Sequence, residues 1–475
     1  MNLLLDLEIL GWLLVGLAGL LGIPTFAALV AGEPFSPYLL SAITAAVLGL
    51  PLAISARAPN RRMRNRDAFL VVAGGWLVAS SFGALPYVLS GVLGPVDALF
   101  ESASGFTTTG STVMTDLESA PRALHLWRAL SQWVGGMGII VFAVAILPLL
   151  GIGGMQMFKA EVPGPITDKL TPRVADTARR LWLIYVGLTG IAFLTFWVAG
   201  MGPFDALCHA LTTLSTGGFS TRSASLGAFS PLMQWLVVFF MLAAGMNFVL
   251  HHQLLMGRFR QVFRDSELRF YLATALAWTG VVALGLASAG ESAPIRDAAF
   301  QVVSLLTTTG YGTANYELWP ALPQLLLVPL LALGGMAGST SGGLKSMRVV
   351  LGLRSFQVAL RRIIHPHAVH TVRFNDRAIA DDVIAGVGVF FIAYLLLTFL
   401  GSLVVGSAGY DVMTAVSTSL TAVSNVGPGF GAVGPADNFA HLPAYVKLSL
   451  CLLMVAGRLE IFTLLVIFSP AFWRR

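Results

Sequence analysis

Charge is scarce in this 475-residue sequence: Asp, Glu, Lys and Arg together make up 11% of it, where a soluble domain carries about 25%. So little charge cannot cover a water-facing surface of this size, which excludes an ordinary soluble enzyme. Cysteine is rarer still. Cys208 and Cys451 each lie in or beside apolar segments. They offer neither a disulfide framework nor a thiolate metal site, and read as small core residues. No Gly-x-Ser-x-Gly elbow, His-Glu-x-x-His helix or Walker sequence occurs in context. A basic leader is missing too. The first hydrophobic stretch carries Asp6 and Glu8 and is too long for a signal h-region, so it is expected to persist as a helix.

Apolar residues, by contrast, supply 56% of the chain, and mean hydropathy is +0.79. Stretches long enough to span a bilayer recur at about 9–31, 36–56, 68–92, 124–151, 180–201, 230–255, 268–289, 321–350, 382–407 and 442–469. The expected fold is therefore an all-α polytopic membrane protein of about ten transmembrane helices. The net charge of +6 follows its topology rather than a nucleic-acid partner. Basic residues cluster at Arg57–Arg66, Lys159–Arg180, Arg258–Arg269, Lys345–Arg377 and Arg474–Arg475. All fall on one side if ten spans alternate, leaving Arg122, Arg128, Arg222, Arg296 and Lys447 opposite. Positive charge marks the cytoplasmic side, so both termini are expected there.

Four polar stretches interrupt the apolar pattern, each opened by an acidic residue and closed by glycine. They run from Asp97 to Thr107-Thr108-Thr109-Gly110, from Asp205 to Ser215-Thr216-Gly217, from Asp297 to Thr308-Thr309-Gly310, and from Asp411 to Asn425-Val426-Gly427. One such copy is as easily an ordinary polar loop. Four in register imply equivalent units, each span–re-entrant loop–span, around one axis. The expected division is 1–66 (two N-terminal helices), 67–158, 159–256 and 257–352 (three repeats), then 353–475 (a cytoplasmic loop and the fourth). The residues after each Asp read as a short helix, with Asp capping its exposed N–H groups. The helix's negative end then faces the axis and favours a cation. Glycine lets the backbone aim carbonyls at that axis, and a cage of carbonyl and hydroxyl oxygens can replace the water shell of an alkali cation. Thr108, Thr109, Gly110, Ser215, Thr216, Gly217, Thr308, Thr309, Gly310, Asn425, Val426 and Gly427 are the candidate filter.

The span near 321–350 is broken by Gly334-Gly335-Met336-Ala337-Gly338-Ser339-Thr340-Ser341-Gly342-Gly343-Leu344-Lys345. So polar a segment lines water or protein rather than lipid, and is either a two-position gate or a kink that permits close packing. Arg458 falls deep in the last span. An intramembrane guanidinium is expensive and functional by default; the alternative is snorkelling beside Glu460. His251, His252, His365, His367 and His370 sit in or beside basic stretches and read as solvated. Glu101 and His209 receive no role.

The chain resembles the membrane (pore) subunit of the Trk bacterial potassium-uptake systems, within the Trk/Ktr/HKT superfamily. The resemblance covers nearly the whole length. Beyond the four stretches it includes Gly135-Gly136-Met137-Gly138, Leu147-Pro148-Leu149-Leu150-Gly151, Pro163-Gly164-Pro165, Gly217-Gly218-Phe219-Ser220-Thr221, Gly427-Pro428-Gly429-Phe430 and Arg458-Leu459-Glu460. It implies potassium as the permeating ion, because glycine at all four filter positions goes with potassium selectivity in that family. It further implies a gate from Gly338, Ser339, Thr340, Ser341, Gly342, Gly343 and Lys345 with Arg458 beside it, and a homodimer in the bacterial inner membrane. The implied regulator is a soluble nucleotide-binding ring carrying NAD or ATP/ADP, with no organic cofactor on this chain. A proton- or sodium-coupled symporter is the alternative; it would want a titratable carboxylate on the path, and none stands out. An enzyme would show one unique catalytic cluster in place of the repeat.

Overall fold

The computed structural model describes residues 2–55, 65–141, 170–368, 370–375 and 377–474. Arg57, Arg61, Arg62, Arg64, Lys159, Lys169 and the resemblance segments at 147–151 and 163–165 lie outside them. Within the described residues the protein is an all-α polytopic membrane protein. Six helices are long and apolar enough to cross a bilayer: Leu3–Ala31, Ser36–Ser55, Arg66–Leu89, Asp176–Val198, Ser266–Ser288 and Asp381–Gly406. Two bent pairs, Pro231–Ala244 with Phe248–Leu255 and Ala444–Arg458 with Phe462–Phe468, bring the number to eight. The other two expected spans correspond to Arg122–Val141, which runs to the edge of the described residues, and to Ala321–Ala332, which ends at a break before Ser346–Ile364.

The helices sort their side chains by solvent. On Asp381–Gly406, Phe390, Tyr394, Thr398, Gly401 and Val405 recur on one buried stripe. Ile392, Leu395, Leu396 and Phe399 are exposed on the other side, as a lipid-facing surface requires. The first two helices cross where small residues let their backbones touch: a methyl on Gly11 would fall 2.4 Å from the Ala53 nitrogen.

Four short helices lie among these spans: Pro95–Phe106, Pro203–Leu214, Pro294–Leu306 and Val412–Ser424. Each carries polar side chains among apolar ones and is almost wholly buried along its C-terminal half, so it is enclosed by protein and not by lipid. The spans after the second and fourth turn through 99° and 117° at their breaks. Around Arg373–Phe374 and Arg377–Ala378 a two-stranded antiparallel ribbon forms, small enough to leave the fold class unchanged. Its turn residue Asn375 receives the Ser266 N–H at 2.8 Å, tying the ribbon to the start of Ser266–Ser288.

Candidate ion pathway

Proline, and not aspartate, starts three of the four short helices. Pro95, Pro203 and Pro294 occupy the first turn after Gly94, Gly202 and Ala293; a residue without an N–H suits a position whose N–H would be orphaned. Only Asp411 caps in the expected manner, accepting from the Thr414 N–H at 3.1 Å. Asp97, Asp205 and Asp297 lie one turn further on and take ion pairs instead, with Lys447 (2.6 Å), Arg222 (2.8 Å) and Arg296 (3.0 Å). Their charge still sits at the positive end of the helix dipole.

Past each helix the backbone repeats one conformation. Thr108, Thr216, Thr308 and Asn425 all have positive φ, between 52° and 56°. The next N–H returns to the helix: Thr109 to Ser104, Gly217 to Thr212, Thr309 to Ser304 and Val426 to Thr421, at 2.8–3.1 Å. Then comes a glycine with φ of 84°, 77°, 79° or 107° at Gly110, Gly218, Gly310 and Gly427. This corrects the register of the second stretch. Gly217 aligns with Thr109, and Gly218 is the partner of Gly110, so Ser215 and Thr216 correspond to Thr107 and Thr108.

These glycines close a ring. A methyl on Gly110 would fall 2.2 Å from the Gly217 carbonyl oxygen, one on Gly218 1.9 Å from that of Thr309, and one on Gly310 1.9 Å from that of Val426. On Gly427 it would meet the Thr109 oxygen at 2.9 Å. Each stretch thus abuts the carbonyl just ahead of the next one's glycine, and the fourth returns to the first. Side chains lock the ring from behind. Gln132 donates to the Gly217 carbonyl at 2.6 Å and accepts from the Phe219 N–H at 3.1 Å. Ser111 donates to the Gly427 carbonyl at 3.0 Å. Asn425 donates to Thr109 Oγ1 at 3.0 Å and to the Met454 carbonyl at 2.9 Å.

A second circle of contacts joins the strands leading away from the ring. Glu118 accepts from the Ser223 N–H and hydroxyl at 2.8 and 2.5 Å; Gly227 N–H donates to the Gly312 carbonyl at 3.2 Å. The Gly431 N–H donates to Glu317 at 2.5 Å, and Phe439 N–H donates to the Thr112 carbonyl at 2.8 Å.

On the helix side of the ring lies the broken span. Residues 333–345 are non-helical and fold up against the candidate filter residues. The Gly342 N–H donates to Thr308 Oγ1 at 2.7 Å, and a methyl there would fall 2.1 Å from the Ser424 carbonyl oxygen. Thr340 donates to the carbonyls of Leu214 (3.0 Å) and Ala244 (3.3 Å). Gly338 takes the Phe248 N–H on its carbonyl at 3.1 Å. Ser339 and Ser341 share a hydroxyl hydrogen bond of 2.6 Å, and Lys345 folds back onto the Ser341 carbonyl. Arg458 is 2% exposed. It donates to the Thr340 carbonyl at 2.8 Å and to that of Gly135 at 3.1 Å, while Glu460 pairs with Arg348. At the feet of the loop, Glu267 Oε1 accepts from both the Ala337 N–H (2.7 Å) and the Met347 N–H (2.9 Å).

Residues 39–475 match the family model for TrkH, described as a cation transport protein. The chain belongs to the TrkH family. It is 41% identical over 480 residues to the Trk system potassium uptake protein TrkH of Escherichia coli strain K12, with 98% of each chain covered. To the protein of the same name from Salmonella typhimurium it is 44% identical over 429 residues, 88% of each. The crystal structure of the potassium transporter TrkH from Vibrio parahaemolyticus matches it with a TM-score of 0.92 at 36% identity, over 100% of both chains.

In this TrkH-family chain, reasoning from sequence missed Gly218, Gln132, Glu267 and the breaks at 245–247 and 459–461. A signal for the first was present, since Ser215-Thr216 aligns hydroxyl for hydroxyl with Thr107-Thr108 and so sets Gly218, two residues on, opposite Gly110. Nothing local in the sequence points to Gln132 or Glu267, whose partners are distant along the chain.

Proposed function

We propose that this protein takes up potassium through a channel-like pore along the axis of the glycine ring. The ring carries the reading: four backbone segments of one conformation, each glycine seated against the next segment's carbonyl. Relatives named as potassium uptake proteins support the choice of ion. The filter comprises Thr108, Thr109, Gly110, Ser215, Thr216, Gly217, Gly218, Thr308, Thr309, Gly310, Asn425, Val426 and Gly427. Their oxygens stand in for hydration water as the ion dehydrates. The C-terminal ends of the four short helices adjoin the ring, so their dipoles favour a cation.

The stretch from Gly338 to Gly343, with Lys345 and Arg458, is the gate. In the state described here its backbone touches filter residues and a buried guanidinium lies beside it, so an ion leaving the ring meets both an obstacle and a positive charge. Opening requires this loop to withdraw. A homodimer in the inner membrane, both termini cytoplasmic, with a soluble nucleotide-binding ring docked on the basic face, completes the assembly by family likeness. The symport alternative gains nothing from Glu101, a buried carboxylate near the ring, because its partners are Arg128, Thr112 and the Val113 N–H.

Purified protein in liposomes should show potassium flux that sodium does not match, with no proton movement coupled to it. Gly110→Ser should lower potassium selectivity; an unchanged reversal potential in mixed salts would count against the filter. Deleting Gly338 to Gly343 should raise basal flux without any regulator, and a folded variant with no rise would remove the gate.

A further inference from the structure

The N–H groups that follow the ring must be satisfied inside the protein, and the same helix position does so repeatedly. Glu101, His209 and Gln301 sit at equal distances ahead of Gly110, Gly218 and Gly310, and all are fully buried. Glu101 Oε2 accepts from the Val113 N–H at 2.9 Å and both its oxygens from the Thr112 hydroxyl. Gln301, with its amide oxygen turned toward the strand, accepts from the equivalent Thr313 N–H at 2.9 Å and from Ala314 at 3.2 Å. In the fourth stretch Ser417, one residue earlier on its helix, accepts from the equivalent Phe430 N–H and donates to the Phe430 carbonyl, both at 2.9 Å. His209 differs. Its Nδ1 donates to the Asp205 carbonyl (2.8 Å), which leaves Nε2 to accept from the Ser220 hydroxyl (3.0 Å).

The first of these braces is charged and spans two stretches. Arg128 donates from Nε to Glu101 at 2.9 Å and from a terminal nitrogen to the Ser220 carbonyl at 2.9 Å. Its guanidinium lies 4.1 Å from the centre of the Phe219 ring. Phe219 directly follows Gly218, so the pair grips the second stretch beside its ring glycine.

We propose that Glu101, His209, Gln301 and Ser417 are positioning residues that fix the width of the glycine ring, and that the Glu101–Arg128 pair couples its first two quarters. The proposal rests on the filter reading above. It assigns selectivity for ion size to groups that never touch the ion: freeing an outgoing strand lets its carbonyls relax inward around the smaller sodium ion. Removing one member of the buried pair would leave a lone charge in the interior, so the informative variant neutralises both.

The test is the potassium-to-sodium permeability ratio of the full chain in liposomes, taken from reversal potentials. Variants are Glu101→Gln with Arg128→Met together, Gln301→Leu alone and Ser417→Ala alone, with Gly110→Ser as reference. Each should elute as folded protein and conduct, with the ratio lowered severalfold in the first two and less in Ser417→Ala. A purely structural role would reduce yield and leave the ratio untouched. If folded Gln301→Leu and Ser417→Ala keep the original ratio while Gly110→Ser lowers it, the positioning proposal is overturned and the filter stands. If Gly110→Ser changes nothing either, both fall. The two uncharged variants decide the question should the double variant fail to fold.

Discussion

Two adjacent glycines in the second stretch behave differently because of their backbone. Gly218 has a φ of 77° and faces the Thr309 carbonyl. Gly217 has ordinary φ, and its nearest neighbour is the Gln132 side chain, 2.4 Å from a would-be methyl. A left-handed conformation costs a residue with a β-carbon about 1–2 kcal/mol before any clash, and a backbone carbonyl yields less readily than a side-chain amide. Gly218→Ala should therefore damage flux far more than Gly217→Ala in the liposome assay. The reverse order would restore the register set by the first glycine. At this scale the sequence was only partly legible. Residue types marked out the Thr/Ser and Gly stretches as a candidate filter, but choosing between neighbouring glycines needed φ values. Glu101 was visible as a charge in an apolar protein, yet its partner Arg128 lies on another helix and no spacing rule connects them.

Elements were more legible than their ends. The short helices fall where the acidic residues and the polar runs suggested, because alternation between lipid-like and hydroxyl-rich composition marks them. Their starts were misjudged: proline in the first turn competes with an aspartate cap, and Asp97, Asp205 and Asp297 are released to ion pairs. Of the interruptions at 245–247, 333–345 and 459–461 among the described residues, only the glycine-rich one at 333–345 stood out. The turn at 459–461 uses Glu460 and Ile461 at positive φ, which composition does not foretell. Glu267 ties Ala337, inside the 333–345 segment, to Met347, just past its end, through one oxygen. Leaving two such N–H groups unpaired costs about 1–3 kcal/mol each when buried. Glu267→Ala should accordingly speed amide exchange between Ala337 and Met347 and raise basal flux. Unaltered exchange in a folded variant would show that the segment is held elsewhere.

For the molecule as a whole, composition settled most. Low charge, high hydropathy and the distribution of Arg and Lys fix a helical membrane protein, because lipid tolerates little else. The four-part assembly depends on contacts between distant stretches, and these include the outer circle of ties. Glu118 links the first and second quarters. The Ser223 hydroxyl, and then its N–H, favour the charged form and hold this carboxyl below the usual glutamate range. A lowered value in the folded state means the tie is complete at neutral pH and lost as pH falls through that value. Amide exchange around Ser223, corrected for its intrinsic pH dependence, should rise in acid, and should already be fast at neutral pH in Glu118→Ala. A rate independent of both would mean the link does not hold the loop.

The cyclic seating of the four glycines has one more outcome. Because every segment leans on its successor and the last leans on the first, no quarter can be enlarged alone: a displacement entering at one seam is handed round until it returns to its origin. Substitutions at two seams should then interfere with one another instead of summing, and the aperture should behave as a single mechanical object, open to all its walls or to none.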